Sequence, residues 1–336
     1  MIREAIKRLI EGKSLSREEA SSVMAQIMEG KATEAQIGAF LVALRLKGET
    51  AQEIAGFAQT MRNKATPVST NRKGTIDVCG TGGDGFGSFN ISTIAALVIA
   101  GCGVPVAKHG NRSVSSKCGS ADLLQQLGVK IDLPAEKIAQ CLDEIGIAFL
   151  FAPMLHQAMK YAIGPRREIG VRTVFNVLGP ITNPAGTQRQ LIGVYDRYLA
   201  NLLAEVLREL ETEKALIVYG EDGLDEVSIT TSTYLVELSE GNILEKKVTP
   251  EDFGLTPSNR EEILGGGPEE NASIALEILK GKHGPTRDVV IANAACGLYV
   301  AGSAASFIEG AKLAAESIDS GAALDKLEQM RRFSNS

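Results

Sequence analysis

Cysteine is sparse and unpatterned in this chain: Cys79, Cys102, Cys118, Cys141 and Cys296 are scattered, odd in number and form no C-x-x-C pair. That spacing argues against a disulfide framework and against a zinc site, and it points to a reducing, cytoplasmic setting. No apolar run is clean enough for a membrane span. The longest, Ile91 to Ala107, is broken by Gly101, Gly103 and Pro105 and reads as a buried helix followed by a strand. The opening "MIREAIKRLIEGK" carries charges throughout, which is not a signal-peptide pattern. Excess positive charge is missing too: 35 Lys+Arg against 41 Asp+Glu leave −6, so the overall balance does not advertise a nucleic-acid partner. No internal repeat or low-complexity segment stands out. What is present is an ordinary globular composition, 44% hydrophobic and 23% charged over 336 residues. By length it allows about two domains.

Residues 1–66 read as wholly helical. Three capping boxes, Ser16…Glu19, Thr33…Gln36 and Thr50…Glu53, mark helix starts, and Gly12, Gly30 and Gly48 mark helix exits. Four helices are predicted, near 2–11, 17–29, 34–46 and 51–63. The third is apolar on more than one face, which suits the middle of a bundle or a subunit contact. From 67 to 336 strands and helices alternate, which predicts an α/β domain with a mostly parallel central sheet. "TIDVC", "VPVAKH", "AFLFA", "QLIGVY" and "KALIVYG" read as strands, "VSITTSTYLVELS" as strand and hairpin, and the last helix is expected near 305–318.

The first strand runs into "GTGGDGFGSFNIST", five glycines within Gly80–Gly87 followed by a helix from about Asn90. Strand, glycine loop and helix N-terminus together form a ready anion site. No Gly-Lys-Ser/Thr follows, so this is not a P-loop. The letters Gly80-x-Gly82-x-x-Gly85 match a dinucleotide fingerprint, but the helix starts late. The second strand ends in Lys108-His109, where an acidic ribose partner belongs. Asp84 suits a sugar hydroxyl or a metal-bound water better than a phosphate.

"AKHGNRSVSSKCGSAD" should emerge on the same sheet edge, with Lys108, His109, Arg112 and Lys117 among serines. The alternative is a solvated basic loop with Ser120 capping the next helix. Beside the glycine loop it indicates a ligand with more than one phosphate. Asp225-Glu226, in "YGEDGLDEVSIT", offer hard oxygens of the kind Mg²⁺ requires, against the alternative of an acidic surface turn. Arg166, Arg167 and Arg172 include one candidate carboxylate clamp, or else form a basic helix start with Pro165 in its first turn. His156 and His283 read as structural, and "GGGPEENA" as a loop before a proline-started helix.

These segments together resemble the anthranilate phosphoribosyltransferase family. The match rests on G-T-G-G-D at 80–84, N-I-S-T at 90–93, K-H-G-N-R at 108–112, R-R-E-x-G-x-R-T at 166–173, N-x-L-G-P-x-T-N-P at 176–184 and D-E at 225–226. It covers almost the whole chain in order. The resemblance implies a small N-terminal helical domain, 1–66 joined by about 166–182, and a larger α/β domain, 67–336, of nucleoside phosphorylase/phosphoribosyltransferase-like fold. It implies transfer of phosphoribose from phosphoribosyl pyrophosphate (PRPP) to the amine of anthranilate, in tryptophan biosynthesis. It implies PRPP contacts at Gly80, Gly83, Asp84, Ser88, Asn90, Ile91, Ser92 and Thr93. In the second loop it implies contacts at Lys108, His109, Gly110, Asn111, Arg112, Ser113, Val114, Ser115, Ser116 and Ser120. Anthranilate would meet Gly80, Asn111 and Arg166. Magnesium, two ions per subunit, would be held by Ser92, Asp225 and Glu226, and the partner would be a second copy joined through the helical domain. Two departures, Gln157 where proline is common and Gly267 where an acid is common, touch none of these positions.

No nucleophile with a paired base is evident, so direct displacement is expected, with His109 as a possible assistant. The rivals are a nucleoside phosphorylase, whose phosphate motif differs from K-H-G-N-R, and a nucleic-acid-binding relative, which needs a basic groove. The third is an NAD-dependent oxidoreductase, which needs the missing acid.

Overall fold

The computed structural model describes residues 1–113 and 117–336; Val114, Ser115 and Ser116, named above, lie outside the described residues. The chain opens with four helices, α1 (Ile2–Ile10), α2 (Arg17–Met28), α3 (Glu34–Lys47) and α4 (Ala51–Lys64). All three expected capping boxes form: each hydroxyl accepts the third helical amide and each Glu or Gln reaches back to the cap. Gly12, Gly30 and Gly48 follow the first three helices with φ of 74°, 69° and 87°, conformations an L side chain resists. The cap at α4 extends into the core. Glu53 is fully buried and accepts from Leu15 N (2.9 Å), Thr50 N (2.9 Å) and Lys47 Nζ (2.6 Å). Glu53→Ala strands the Lys47 ammonium, the buried amide of Leu15 and the half-buried amide of Thr50. We expect a loss of about 3–5 kcal/mol, read as a lower urea midpoint; an unchanged midpoint would show the network to be dispensable.

Next come β1 (Ile76–Gly80), α5 (Ile91–Gly101), β2 (Val106–Gly110), α6 (Ser120–Gln126), α7 (Ala135–Ile145) and β3 (Ile147–Phe151). α8 (Ala152–Leu155), α9 (Lys160–Ile169) and α10 (Phe175–Leu178) lead to β4 (Arg189–Gly193), α11 (Arg197–Glu209) and β5 (Lys214–Gly220). The hairpin β6 (Thr233–Ser239) and β7 (Asn242–Val248) precedes α12 (Pro268–Leu279), α13 (Pro285–Ala301), α14 (Phe307–Asp319) and α15 (Ala322–Ser334). One sheet runs β3-β2-β1-β4-β5-β6-β7; its first five strands are parallel and the hairpin antiparallel.

Strand residues alternate between two cores, as a period of two requires. Leu216 and Val218 of β5 face α5 and α13, whereas Ala215 and Ile217 face α11 and the N-terminal bundle. Phe175, Leu178 and Ile181 pack in that second core with Phe40 and Phe57. Among the described residues no helix is long and apolar enough to cross a membrane.

Four expectations need correction. The strand expected from Val227 begins only at Thr233, because Ser228, Thr230 and Asp222 bond one another into a turn, with Ser228 Oγ donating to Asp222 Oδ2 at 2.8 Å. Pro165 lies well inside α9 rather than in its first turn, so Arg166 and Arg167 occupy the last turn. Ser120 is the first residue of α6, and Gly119 is its cap. A further helix, α15, follows the one expected to be last; Gly321, at φ 80°, lets the chain turn back, and Ala323, Leu327 and Met330 bury one face.

Candidate active site

Chain direction across the sheet reverses between β1 and β4, since β1 is followed on one side by β2 and on the other by β4. Parallel strands open a crevice at such a switch point, beyond their carboxyl ends. The glycine loop leaves β1 there, the basic loop leaves β2, and the acidic turn follows β5. Gly82, Gly83, Gly85 and Gly87 have φ between 65° and 82°, so the loop's path depends on glycine.

The acidic turn folds directly onto this loop. Gly82 N–H donates to Asp225 Oδ2 at 2.7 Å, Ser92 N–H to Glu226 Oε1 at 3.0 Å, and Asp225 N–H to Asp84 Oδ2 at 3.4 Å. A Cβ on Gly80 would stand 2.7 Å from Asp225 Oδ2, so only glycine admits the carboxylate here. Burial, then Asp84 and Glu226, push the Asp225 carboxyl well up. Burial raises Glu226 to about 7, although Lys108 opposes the shift. Like charges crowded in a low-dielectric crevice call for a cation. Among the described residues no three His, Cys, Asp or Glu side chains converge into a cage. The donor set thus fits Mg²⁺ sharing its shell with a ligand's phosphates and water.

Lys108 and His109 end β2 and both are buried. Lys108 Nζ donates to Val78 O at 2.7 Å and to Ser92 Oγ at 3.3 Å, so its ammonium stands under the start of α5. His109 N–H donates to Asp77 Oδ1 at 3.1 Å, and Asn183 Nδ2 donates to Asp77 Oδ2 at 2.8 Å. Asp77, fully buried, is raised to about 6 by burial. His109 Nδ1 donates to Gly179 O at 3.1 Å, which leaves Nε2 as the lone-pair nitrogen, buried and without a partner among the described residues. Burial, then His156, lowers His109 to about 3. His156, expected to be structural, lies with its ring 5.2 Å from that of His109.

The remaining candidates divide. Asn111 O accepts from Ser120 Oγ at 3.2 Å, and Arg112 pairs with Asp122 at 2.7 Å, so the second loop is tied back to α6. Asn90 Nδ2 donates to Cys118 O at 3.0 Å and joins the two loops. Arg166, in the last turn of α9, lies over the ring of Phe175, the first residue of α10, at 4.9 Å. Arg172 is bonded to the carbonyl of Gly83 and stacks on Tyr195 at 4.1 Å, so it touches the glycine loop. Two contributors carry no sequence signal. Gly193 lies beneath Asp225, where a Cβ would come within 1.5 Å of the Asp225 carbonyl oxygen. Arg260 donates to Phe86 O at 2.9 Å.

Comparison with known proteins agrees with this geometry. The chain matches the glycosyl transferase family, helical bundle domain, over residues 3–65, and the glycosyl transferase family, a/b domain, over residues 72–324. It is 54% identical over 333 residues to the anthranilate phosphoribosyltransferase of Pelotomaculum thermopropionicum, covering 99% of this chain and 96% of that protein. The crystal structure of anthranilate phosphoribosyltransferase from Thermus thermophilus superposes with TM-score 0.94 at 44% identity, over 99% of each chain. The Saccharomyces cerevisiae enzyme in complex with PRPP and Mg superposes with TM-score 0.91 at 29% identity, over 99% of this chain and 98% of that one. The same yeast protein has been solved with 4-fluoroanthranilate.

Proposed function

From the premise that the chain belongs to the anthranilate phosphoribosyltransferase family, we infer that its sheet-edge crevice moves the 5-phosphoribosyl group of PRPP to the amine of anthranilate. The products are N-(5-phosphoribosyl)anthranilate and diphosphate. The observation that carries the reading is the half-buried Asp225 beside the buried Glu226, bonded to the amides of Gly82 and Ser92 within the glycine-rich loop. The direct test is loss of anthranilate fluorescence on adding PRPP and Mg²⁺ to the purified protein; persistence of the fluorescence would sink the reading.

PRPP lies across the glycine loop and the basic loop. The amides at the α5 N-terminus and Lys108 face its phosphates, and Ser92, Asp225 and Glu226 hold the Mg²⁺, two ions per subunit. When bound, the metal neutralises charge that accumulates on the departing diphosphate. The acceptor amine attacks C1 of the ribose from the opposite side, the C1–O bond to diphosphate breaks, and no enzyme-linked intermediate forms. Asn111 and Gly80 border the acceptor. Burial keeps His109 neutral, at about 3, so its Nε2 lone pair is free to orient the amine N–H. The N-protonated aromatic amine is acidic enough to lose its proton to solvent.

Arg166 grips the acceptor carboxylate. Arg166→Ala should raise the Michaelis constant for anthranilate by about 10-fold or more, the worth of one charge-assisted bond, and leave that for PRPP near wild type. Steady-state kinetics check this, and an unchanged anthranilate constant refutes the clamp.

The helical domain, 1–66 with about 166–182, also pairs two copies of the chain. The support is α3, which buries Phe40 and Leu44 yet leaves Leu46 83% exposed beside a half-exposed Val42. Val42→Asp with Leu46→Glu should halve the mass measured by light scattering; a wild-type mass would place any pairing elsewhere. The five cysteines are scattered through the fold rather than paired in a disulfide framework, which accords with a cytoplasmic setting.

A further inference from the structure

Three carbonyls of the glycine loop, those of Gly83, Phe86 and Gly87, are held by donors from outside the loop. Arg172, from the segment between α9 and α10, donates to Gly83 O while its guanidinium stacks 4.1 Å from the Tyr195 ring. Arg260, from a 3₁₀ turn that follows the hairpin, donates to Phe86 O at 2.9 Å and stacks 4.2 Å from the Phe86 ring. Gly265 N–H takes the next carbonyl, Gly87 O, at 2.9 Å, within a bridge between Ser88 and Leu264. The three donors come from two distant stretches of chain and fix three peptides of a loop that glycine leaves free to flip.

In a trans peptide the C=O and the following N–H point in opposite directions. Fixing the carbonyls of Gly83, Phe86 and Gly87 outward therefore turns the amides of Asp84, Gly87 and Ser88 the other way. A glycine-rich loop without such anchors would sample many peptide orientations and lose that freedom again at each binding event. We propose that Arg172 and Arg260 are positioning residues for PRPP: they hold the loop's carbonyls away from the ligand so that its amides are already presented to the diphosphate. Neither guanidinium is assigned to the phosphates. Their stacking on Tyr195 and Phe86 keeps each planar group in register with its carbonyl. Arg172 lies six residues beyond Arg166, so the segment that grips the acceptor also sets the shape of the donor loop. The proposal rests on the PRPP reading above.

The test compares wild type with Arg172→Ala, Arg260→Ala and the double variant. Each single change should raise the Michaelis constant for PRPP about 10-fold, the worth of one charge-assisted hydrogen bond, with the anthranilate constant nearly unchanged. Calorimetric titration with Mg²⁺ and diphosphate, which needs no turnover, should show the same loss. Amide hydrogen exchange over residues 82–88 of the ligand-free protein should speed up in each variant, a change that a purely electrostatic attraction for phosphate would not produce. Wild-type diphosphate affinity in the double variant overturns the proposal. So does weakened affinity with unchanged exchange, and so does an equal rise in both Michaelis constants. A wild-type protein that binds Mg²⁺–diphosphate but never consumes anthranilate overturns the acceptor reading instead, and leaves the loop comparison intact.

Discussion

Asp225→Asn combined with Glu226→Gln should cut turnover at saturating PRPP and physiological Mg²⁺ by about 10²–10³-fold, the scale at which a group that meets developing charge is lost. Both side chains stay nearly isosteric, and the amides of Gly82 and Ser92 can still find an oxygen, so the fold should survive. Stability should change in an informative direction. Glu226 is raised from 4.5 to about 7 by burial, with Lys108 opposing, and Asp225 is raised by burial and by Asp84 and Glu226. An acid with a raised native pKa adds stability that is complete below its unfolded value and is lost as pH rises through the native one. The metal-free wild type should therefore lose thermal stability between pH 4.5 and about 7, and the increment given by Mg²⁺ should grow over that window. The amide variant removes both effects and should be no less stable than metal-free wild type at pH 8. Calorimetry across pH with and without Mg²⁺ measures this. A variant with wild-type turnover, or one whose Mg²⁺ increment matches wild type, would remove the acids from the metal site.

What the sequence makes legible is what is local. A capping box joins residues three apart, so Ser16, Thr33 and Thr50 announce their helices without any knowledge of the fold. The same holds for glycines that leave a helix at positive φ, and for a strand that feeds a glycine loop and then a helix. Long-range closure is a different matter. Asp225 and Gly82 are 143 residues apart, and taken by themselves in the sequence the acids read more readily as a surface turn. What makes them a site is burial, which no spacing reveals. The arginine cluster shows the same limit. Arg166 and Arg172 have similar chemistry in sequence, yet one lies over Phe175 in the last turn of α9 and the other is spent on a loop carbonyl. The hydroxyl-rich stretch before β6 departs from the expected strand for a related reason. Thr and Ser favour strands, but here Ser228 and Thr230 close on Asp222, and local side-chain bonds displace the ladder.

Gly193→Ala should be the most damaging single methyl group in the site, although no motif marks the position. Gly193 ends β4, in register with Gly80 of β1 and Val218 of β5, and its carbonyl accepts from Thr81 N at 2.9 Å. The backbone of Asp225 crosses above it, so a Cβ would lie 1.5 Å from Asp225 O and 2.5 Å from its carbonyl carbon. Both obstacles are main chain and no rotamer relieves them; either the strand end or the acidic turn must move. Gly80 differs, since its nearest obstacle is the Asp225 carboxylate at 2.7 Å, which can swing away. Overpacking of this kind costs about 1–3 kcal/mol. Displacing a metal-binding carboxylate by about 1 Å costs about 10²-fold in rate. Gly193→Ala should thus lower both the denaturation midpoint and kcat, and raise the Mg²⁺ concentration needed for half-maximal activity. Gly80→Ala should lower activity with a smaller stability loss. If Gly193→Ala kept the wild-type Mg²⁺ dependence while losing stability, the acidic turn would have held its place and the strand end would have yielded. The seat of Asp225 would then be set by Gly82 and Asp84 alone.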